Sequence, residues 1–238
     1  MPPVNNHFPD SVIRRKFQQR LLRWYARHRR DLPWRKTSDP YKILVSEVML
    51  QQTQVDRVVP KYKEFLRKYP TLEELAGASV SDVEATWRPL GYNIRPVRLH
   101  AIAQETVGRH GGKIPASLQA LRAFKGIGRY TAGAVMSFAF RQDTPILDTN
   151  VKRLLQRVFL GSTNGNGSKP AKHLWDLSAA LIPKGKAYDF NQAMMDFGAL
   201  ICTARKPNCR ICPMQPLCIS YPWDKENKQC PKPRRPSR

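Results

Sequence analysis

The stretch 118-LQALRAFKGIGRYTAGAVMSF-138 predicts a short helix, a tight turn and a second helix. Gly126 and Gly128 enclose one apolar residue and permit a sharp reversal of the chain. The first backbone amides of the second helix have no partner within that helix, and together with the helix dipole they favour an anion such as phosphate. Lys125 and Arg129 flank the turn and add positive charge. Because Gly-x-Gly also occurs in ordinary helix connections, the composition must decide between these interpretations.

The composition favours a nucleic-acid partner. The 238 residues include 41 Lys and Arg against 18 Asp and Glu, which gives a formal net charge of +23. This excess is larger than solubility requires, so a polyanion is the expected partner. We therefore predict that the hairpin at residues 118–138 binds a nucleic-acid backbone independently of its sequence.

The sequence also limits where the protein acts. The N-terminal residues MPPVNNHFPD lack the basic and apolar regions of a secretory signal. No uncharged run is long enough to span a bilayer. We expect an intracellular protein without a membrane partner, located in the cytoplasm or nucleoid if the source is prokaryotic.

Helix signals dominate the chain, and no alternating pattern typical of strands is present, so we expect an all-α fold. The polar, glycine-rich residues 161–168 are expected to form a loop, and the proline-rich basic tail from Pro222 is expected to be disordered. The expected helix starts are Asp39-Pro40, whose helix runs to about Val55 before Pro60 interrupts it, the capping boxes Thr71–Glu74 and Ser81–Glu84, and the residues Pro170 and Asp189.

Two carboxylates are candidates for chemistry. Glu47 has mainly apolar neighbours, so burial is expected to raise its pKa and to suit it to proton donation near neutral pH. Its position on the exposed face of an amphipathic helix is an equally compatible interpretation. Asp148 precedes a helix that begins near Thr149, where it can act as a cap, take part in catalysis, or do both.

Four cysteines form one short cluster with the spacing C-x6-C-x2-C-x5-C. In a reducing compartment such a cluster more often binds metal than forms disulfides. The spacing alone is compatible with a zinc site or an iron–sulfur cluster, because both accept four thiolates. The fifth cysteine, Cys230, lies outside the pattern and is expected to be an incidental thiol. The four candidate ligands are Cys202, Cys209, Cys212 and Cys218.

These segments together resemble the helix-hairpin-helix base-excision DNA glycosylases that carry an iron–sulfur cluster, specifically their MutY-type adenine glycosylase branch. The resemblance covers roughly residues 20 to 220. It implies that the four cysteines bind one [4Fe–4S] cluster, which would hold a loop that presents Arg205, Lys206 and Arg210 to phosphates. It rests on LPWR at 32–35, SEVMLQQTQV at 46–55, GIGRY at 126–130, ILDTNVKR at 146–153, FNQAMMD at 190–196 and the cysteines.

The family resemblance implies two α-helical domains on either side of a DNA-binding cleft. The first is a six-helix domain, residues 36–142, which contains the hairpin. The second consists of residues 1–35 and 143–221 and carries the cluster, and residues 222–238 are the basic tail. The partner implied is double-stranded DNA with a mismatched or damaged base, bound by a monomer.

The resemblance also assigns roles to residues. Glu47 would protonate a ring nitrogen of an extruded adenine, and Asp148 would face it across the cleft and stabilise the oxocarbenium-like sugar. The expected base pocket consists of Arg30, Trp34, Arg35, Leu50, Val55, Gln192 and Met195. The residues expected to wedge into the duplex or contact the opposite base are Gln52, Thr53, Leu90 and Tyr92.

Three alternatives accompany the adenine assignment. The sequence ends soon after the cysteine cluster, whereas the resemblance implies a further domain that reads 8-oxoguanine in full-length members of this branch, and it has Tyr92-Asn93 where a Tyr-Tyr pair is common. Short G·T mismatch glycosylases share the first feature, so excision of thymine or uracil is the main alternative, although Gln51-Gln52-Thr53 and Gln192 favour adenine. A mismatch-binding module without chemistry is a second alternative, which the retained carboxylates disfavour. A strand-cutting endonuclease is the third.

Tyr130 predicts that the protein does not cut DNA strands. Related bifunctional enzymes have lysine after Gly-x-Gly-Arg, and its amine forms a Schiff base with the sugar, whereas a phenol cannot form an imine. Borohydride should therefore trap no stoichiometric adduct of the wild-type protein with abasic DNA. Tyr130→Lys should introduce trapping and strand cleavage, and Tyr130→Phe should not. Trapping by the wild-type protein would refute this assignment.

Overall fold

The computed structural model describes residues 8–161 and 171–222. Within these ranges every regular element is helical and no strand occurs, so the all-α prediction is confirmed. None of the described helices is long and apolar enough to cross a membrane. The predicted loop after Gly161, the helix start at Pro170, the tail after Pro222 and Cys230 lie outside the described residues.

The described residues form eleven α-helices, joined in places by short 3-10 turns such as Pro33–Arg35 and Arg88–Leu90. The predicted helix–turn–helix is present as α7 and α8. The helices are α1 Ser11–His28, α2 Pro40–Leu50, α3 Val55–Lys68, α4 Leu72–Gly77, α5 Val80–Trp87, α6 Ile94–His110, α7 Leu118–Ala123, α8 Arg129–Phe138, α9 Thr149–Leu155, α10 Ala171–Leu181 and α11 Ala187–Leu200.

The chain divides into two compact units. One unit, Asp31–Thr144, contains α2 to α8. In this unit α2 packs against α3, α6 and α8, and α6 also packs against α4 and α5. Its core includes Phe65 and Trp87, whose rings meet edge to face with centroids 5.7 Å apart. The family resemblance implies six helices in this domain, whereas the unit has seven. Two of them, α4 and α7, have only six residues each.

The other unit joins the segment up to Arg30 to the segment from Pro145 onward. Here α11 packs against α1 and α9, and α10 also contacts α9. Aromatic side chains fill the contact between α1 and α11: Phe17 meets Phe190 at 6.2 Å, and Trp24 meets Phe197 at 4.9 Å, both edge to face. These pairs bury large apolar surfaces and hold α11 in place.

Helix caps follow short-range sequence signals, with two corrections. The capping box at Thr71 and Glu74 is present and complete. The box predicted at Ser81 is wrong, because Ser79 caps α5 and accepts from the amide of Asp82, which places the helix start two residues earlier. The start predicted at Asp189 is also displaced, since α11 begins at Ala187 and Asp189 lies in its first turn.

The predicted course of α2 is only partly correct. Asp39 caps the helix and Pro40 opens it, as expected. However, α2 ends at Leu50, and a new helix begins at Val55 and continues through Pro60. The sequence between them contains no glycine or proline that would mark this break. Arg95 of α6, distant in sequence, donates hydrogen bonds to carbonyls at this break, as described below.

Gly198 permits α9 and α11 to approach closely. A Cβ atom at this position would lie 2.8 Å from Cβ of Asn150 and 3.0 Å from its carbonyl oxygen. Backbone atoms cannot move aside as the end of a flexible side chain can, so only glycine fits here. The close approach fixes the first turn of α9, which follows Asp148.

Gly198→Ala is expected to lower the free energy of unfolding by about 1–3 kcal/mol, because the added methyl group overlaps Asn150. Gly108→Ala is the matched control, since Gly108 is in α6 and a Cβ there meets no atom within 4 Å. That substitution should be neutral or raise stability by about 0.5–1 kcal/mol. Urea unfolding measures both. Equal effects of the two substitutions would contradict the close-approach interpretation.

Candidate active site

Glu47 lies on α2, a helix whose residues from Ile43 to Met49 are all buried. Its own exposure is 3%. A helix that is buried around its circumference offers no polar face, so the alternative of an exposed position for Glu47 is wrong. A carboxyl group in this location needs a specific role, because burial of an ionisable group is costly.

Asp148 caps α9, as the sequence predicted. Its Oδ1 accepts from the amide of Val151 at 2.7 Å, and its Oδ2 accepts from Nδ2 of Asn150 at 2.9 Å. Both carboxylate oxygens therefore have a donor within the first turn of the helix. The residue is half-buried. Capping fixes its orientation without removing it from the surface.

The anchoring of Asp148 continues to the cysteine loop. Oδ1 of Asn150 accepts from Nη2 of Arg153 at 2.8 Å, and Nε of Arg153 donates to the carbonyl of Cys202 at 2.8 Å. Nη2 of Arg153 also donates to the carbonyl of Gly198 at 2.7 Å. We call the path from Asp148 through Asn150 and Arg153 to Cys202 the α9 relay. It makes the carboxylate position depend on the first residue of the cysteine loop.

The four predicted cysteine ligands line one pocket with mainly apolar walls, including Leu154, Phe197 and Met214. Burial raises the pKa of the Cys212 thiol to about 11 and that of Cys218 to about 12. Arg157 is the cation of the pocket: its Nη1 lies 3.6 Å from Sγ of Cys202 and donates to the carbonyl of Thr203 at 2.7 Å. Thiolates here would need a cationic partner.

The cysteine loop offers thiols as its metal donors. The four described cysteines form no disulfide. Among described residues, no three His, Cys, Asp or Glu side chains are arranged to hold a metal ion. Four thiols around one apolar pocket are a donor set that both a zinc ion and an iron–sulfur cluster accept.

The predicted base-pocket residues fall in both units. Trp34 is buried and its ring meets Tyr62 edge to face at 5.4 Å. Leu50 ends α2 and Val55 begins α3, so they border the break between these helices, and both are half-buried, as is Arg35. In the other unit the predicted residues are Arg30, Gln192 and Met195.

Arg30 forms an ion pair that the site prediction missed. Its Nε donates to Oδ1 of Asp196 at 2.7 Å, and its backbone amide donates to Oδ2 of the same residue at 3.2 Å. Asp196 has no exposed surface in its side chain, whereas that of Arg30 is 28% exposed. The carboxylate therefore fixes the guanidinium while leaving part of it accessible. Nearby on α11, Gln192 is 3% exposed, and its Oε1 accepts no hydrogen bond from a described residue.

The predicted DNA-contacting residues differ in accessibility. Gln52 and Tyr92 are exposed, Tyr92 to 58%, and both have positive φ angles. Thr53 is half-buried and accepts from Nη2 of Arg95 at 3.1 Å. Leu90 is 4% exposed, so it does not project as a wedge in this structure. The hairpin turn has Gly126 at φ +97°, and the other predicted phosphate contacts, Lys125, Gly128, Arg129, Arg205, Lys206 and Arg210, are exposed.

A helical fold with this hairpin, buried carboxyl group and cysteine loop is typical of one class of DNA repair proteins, and the family comparison agrees. The chain belongs to the HhH-GPD superfamily of base excision DNA repair proteins, whose model matches residues 45–180. This result confirms the family identified from the sequence motifs.

Two groups of curated relatives match most of the chain. The adenine DNA glycosylase of Rattus norvegicus is 43% identical over 223 residues, which is 90% of this chain but 43% of that protein. The thymine/uracil-DNA glycosylase of Pyrobaculum aerophilum is 36% identical over 218 residues, which is 90% of this chain and 95% of that protein. The chain thus spans less than half the length of the mammalian adenine glycosylases that it matches.

Solved structures agree on the fold. A thermostable thymine-DNA glycosylase has a TM-score of 0.81 at 36% identity, and the match covers 87% of this chain and 95% of that chain. A trapped endonuclease III–DNA covalent intermediate has a TM-score of 0.74 at 23% identity, over 86% and 93% of the two chains. The second match shows the shared fold alone.

Two substitutions should separate the capping role of Asp148 from any chemical role. Asp148→Ala removes the acceptor for Val151 and is expected to lower the free energy of unfolding by about 0.5–2 kcal/mol. Asp148→Asn retains a capping oxygen and should change it by only a few tenths of a kcal/mol, roughly as for other good caps. Urea denaturation measures both values. Equal destabilisation by Asn and Ala would contradict the capping geometry.

Proposed function

We propose that this protein is a monofunctional DNA glycosylase that removes adenine mispaired with guanine or 8-oxoguanine. The observation that carries the proposal is the pair of carboxyl groups, Glu47 buried on α2 and Asp148 anchored at the start of α9. Membership of a base excision repair family and similarity to adenine DNA glycosylases support it. Its partner is double-stranded DNA with the mismatch, and it acts as a monomer.

Glu47 is the proton donor in this proposal. The target base must leave the duplex before its glycosidic bond can be reached. Adenine is a poor leaving group until a ring nitrogen is protonated, and a desolvated carboxyl group is suited to hold and transfer that proton. The low exposure of Glu47 supports this role.

Asp148 is the stabiliser of positive charge. Loss of the base leaves an oxocarbenium-like sugar, which a fixed carboxylate stabilises through charge without rearranging. The two donors from Val151 and Asn150 hold both oxygens in place, so little reorganisation is required during the reaction. Water then attacks the sugar. No lyase step follows, because Tyr130 has no amine that could form a Schiff base.

The proposed cofactor is one [4Fe–4S] cluster held by Cys202, Cys209, Cys212 and Cys218. Bound there, the cluster would cross-link the loop and fix its basic residues against the DNA backbone. The thiol donor set, the apolar pocket and the cationic Arg157 support this assignment. The α9 relay would also make the position of Asp148 sensitive to loss of the cluster.

Thymine or uracil opposite guanine is the second candidate substrate. It is favoured by similarity to thymine/uracil-DNA glycosylases that are 36% and 37% identical to this chain. Adenine is favoured by the higher identity to adenine glycosylases. It is also favoured by Gln192, whose buried Oε1 can accept from the exocyclic amino group that adenine has and thymine lacks.

The substrate is decided by incubating the protein with end-labelled duplexes that contain A·G, A·8-oxoguanine, T·G or U·G, followed by alkali. We expect cleavage after alkali for the two adenine duplexes. Glu47→Gln and Asp148→Asn should each lower the single-turnover rate by about 10²–10⁴-fold, as for loss of a catalytic acid or charge stabiliser. Glu105→Gln, at a carboxylate of α6 whose side chain is 38% exposed, is the control and should have no effect.

Each outcome of this assay has a defined meaning. Cleavage of only the T·G and U·G duplexes would replace adenine by the second candidate. Absence of cleavage of all four duplexes would contradict the proposed function. Full activity of both carboxylate variants would contradict the catalytic assignment.

The cofactor is tested by metal analysis of protein purified without oxygen. We expect iron and acid-labile sulfide in equal amounts, about four of each per chain for a cluster of this type. Cys209→Ser should lower the iron content and the Tm, whereas Cys230→Ser, outside the spacing pattern, should change neither. Stoichiometric zinc without sulfide would contradict the cluster.

A further inference from the structure

Arg95, the second residue of α6, is a buried cation without a carboxylate partner. It is 5% exposed, and among the described residues no Asp or Glu lies within ion-pair distance of it. Buried charges are usually paired, because desolvation is costly. Burial lowers the pKa of Arg95, yet a guanidinium group remains charged in proteins. Such a costly residue requires a specific function.

One guanidinium nitrogen of Arg95 binds the end of α2. Its Nη1 donates to the carbonyls of Val48 at 3.0 Å and Met49 at 2.9 Å, and it also contacts the carbonyl of Gln51. These are terminal carbonyls that the helix itself cannot satisfy, and they lie at the negative end of the helix dipole. The contact explains why α2 ends without a glycine or proline. It also fixes the turn that directly follows Glu47.

The other nitrogen binds two different segments. Nη2 of Arg95 donates to Oγ1 of Thr53 at 3.1 Å and to the carbonyl of Gly91 at 3.1 Å. The guanidinium group also lies over the rings of Trp87 at 5.4 Å and Tyr92 at 5.3 Å. One planar group thus joins the segments 51–53 and 90–92, which we call the first and second loops.

Each loop contains a residue with unfavourable backbone geometry. Gln52 has φ +55° and Tyr92 has φ +52°, in the left-handed region that non-glycine residues rarely adopt. Each such conformation costs on the order of 1–2 kcal/mol and persists only when its surroundings impose it. Arg95 binds Gln51 and Thr53 on either side of Gln52, and Gly91 immediately before Tyr92. It is therefore placed to impose both conformations.

We propose that Arg95 is a positioning residue that holds the first and second loops together, so that the exposed side chains of Gln52 and Tyr92 enter the duplex as one unit. The proposal rests on the proposed function, because that function assigns these side chains to DNA. Arg95 acts through the loops and does not touch the base. Its two nitrogens, one for each set of acceptors, are the feature that no other side chain supplies.

The test combines hydrogen exchange with a fluorescent base. Arg95→Met keeps the length of the side chain and removes every donor, Arg95→Lys keeps the charge at a single nitrogen, and Arg109→Met is the control on the exposed face of α6. Exchange is measured on the free proteins. Unstacking is measured with 2-aminopurine beside an A·G mispair at saturating protein, so that weaker affinity does not affect the result.

In Arg95→Met, amides of both loops should exchange at least about tenfold faster, while α3 and α8 remain protected. The unstacking signal should fall to the level of undistorted duplex, and the single-turnover rate by about tenfold to a hundredfold. Arg95→Lys should keep the amides of the first loop protected, while those of the second loop exchange faster. Its unstacking signal should lie between those of the wild type and Arg95→Met. Arg109→Met should match the wild type in all three measurements.

Two outcomes would overturn the proposal. Unchanged exchange in the loops of Arg95→Met would show that Arg95 does not hold them, and wild-type behaviour of Arg95→Lys would show that charge alone is sufficient. If Arg95→Met does not fold, Arg95→Lys still tests the proposal, because wild-type behaviour of that variant would overturn it. A wild-type protein that excises no base would contradict the proposed function. The exchange and unstacking measurements would still test the role of Arg95.

Discussion

The α9 relay is the interaction on which the proposed chemistry depends. Asp148 can stabilise a cationic sugar only if its carboxylate is fixed, and its fixation requires Asn150 to bind both Asp148 and Arg153. Arg153 in turn donates to the carbonyl of Cys202, so the proposed cluster would affect the position of Asp148 without a direct chemical role. The tight contact at Gly198 supports the same turn from the opposite helix. One short segment thus combines helix capping and loop anchoring with the catalytic role proposed for Asp148.

Arginine side chains also fix the segments near Glu47 and around the cysteine pocket. Arg95 ends α2 one turn after Glu47, and Arg30 is fixed by Asp196. Arg157 holds carbonyls of the cysteine loop. The net charge of +23 therefore has two uses. Part of it would attract DNA in the proposed function, and part crosslinks backbone segments inside each unit, where the planar donors of arginine satisfy carbonyls that helix ends leave free.

The features that could be predicted from the sequence are those with local causes. The cap at Asp148, the box at Thr71 and the hairpin at residues 118–138 each depend on neighbours within a few positions, and the structure contains all three. The break after Leu50 depends on Arg95, which is 46 residues from Met49, and the pair of Arg30 and Asp196 spans 166 residues. A single sequence without aligned relatives gives no signal for such contacts. For the same reason the burial of Leu90 was not anticipated.

The central claim of the proposed function is that Glu47 protonates an extruded adenine, and a crystal structure of the Glu47→Gln variant bound to a duplex with an A·G mispair tests it most directly. The account predicts an adenine outside the helix, with a ring nitrogen within hydrogen-bond distance of residue 47. An adenine that remains stacked in the duplex, or one bound out of reach of residue 47, would contradict it.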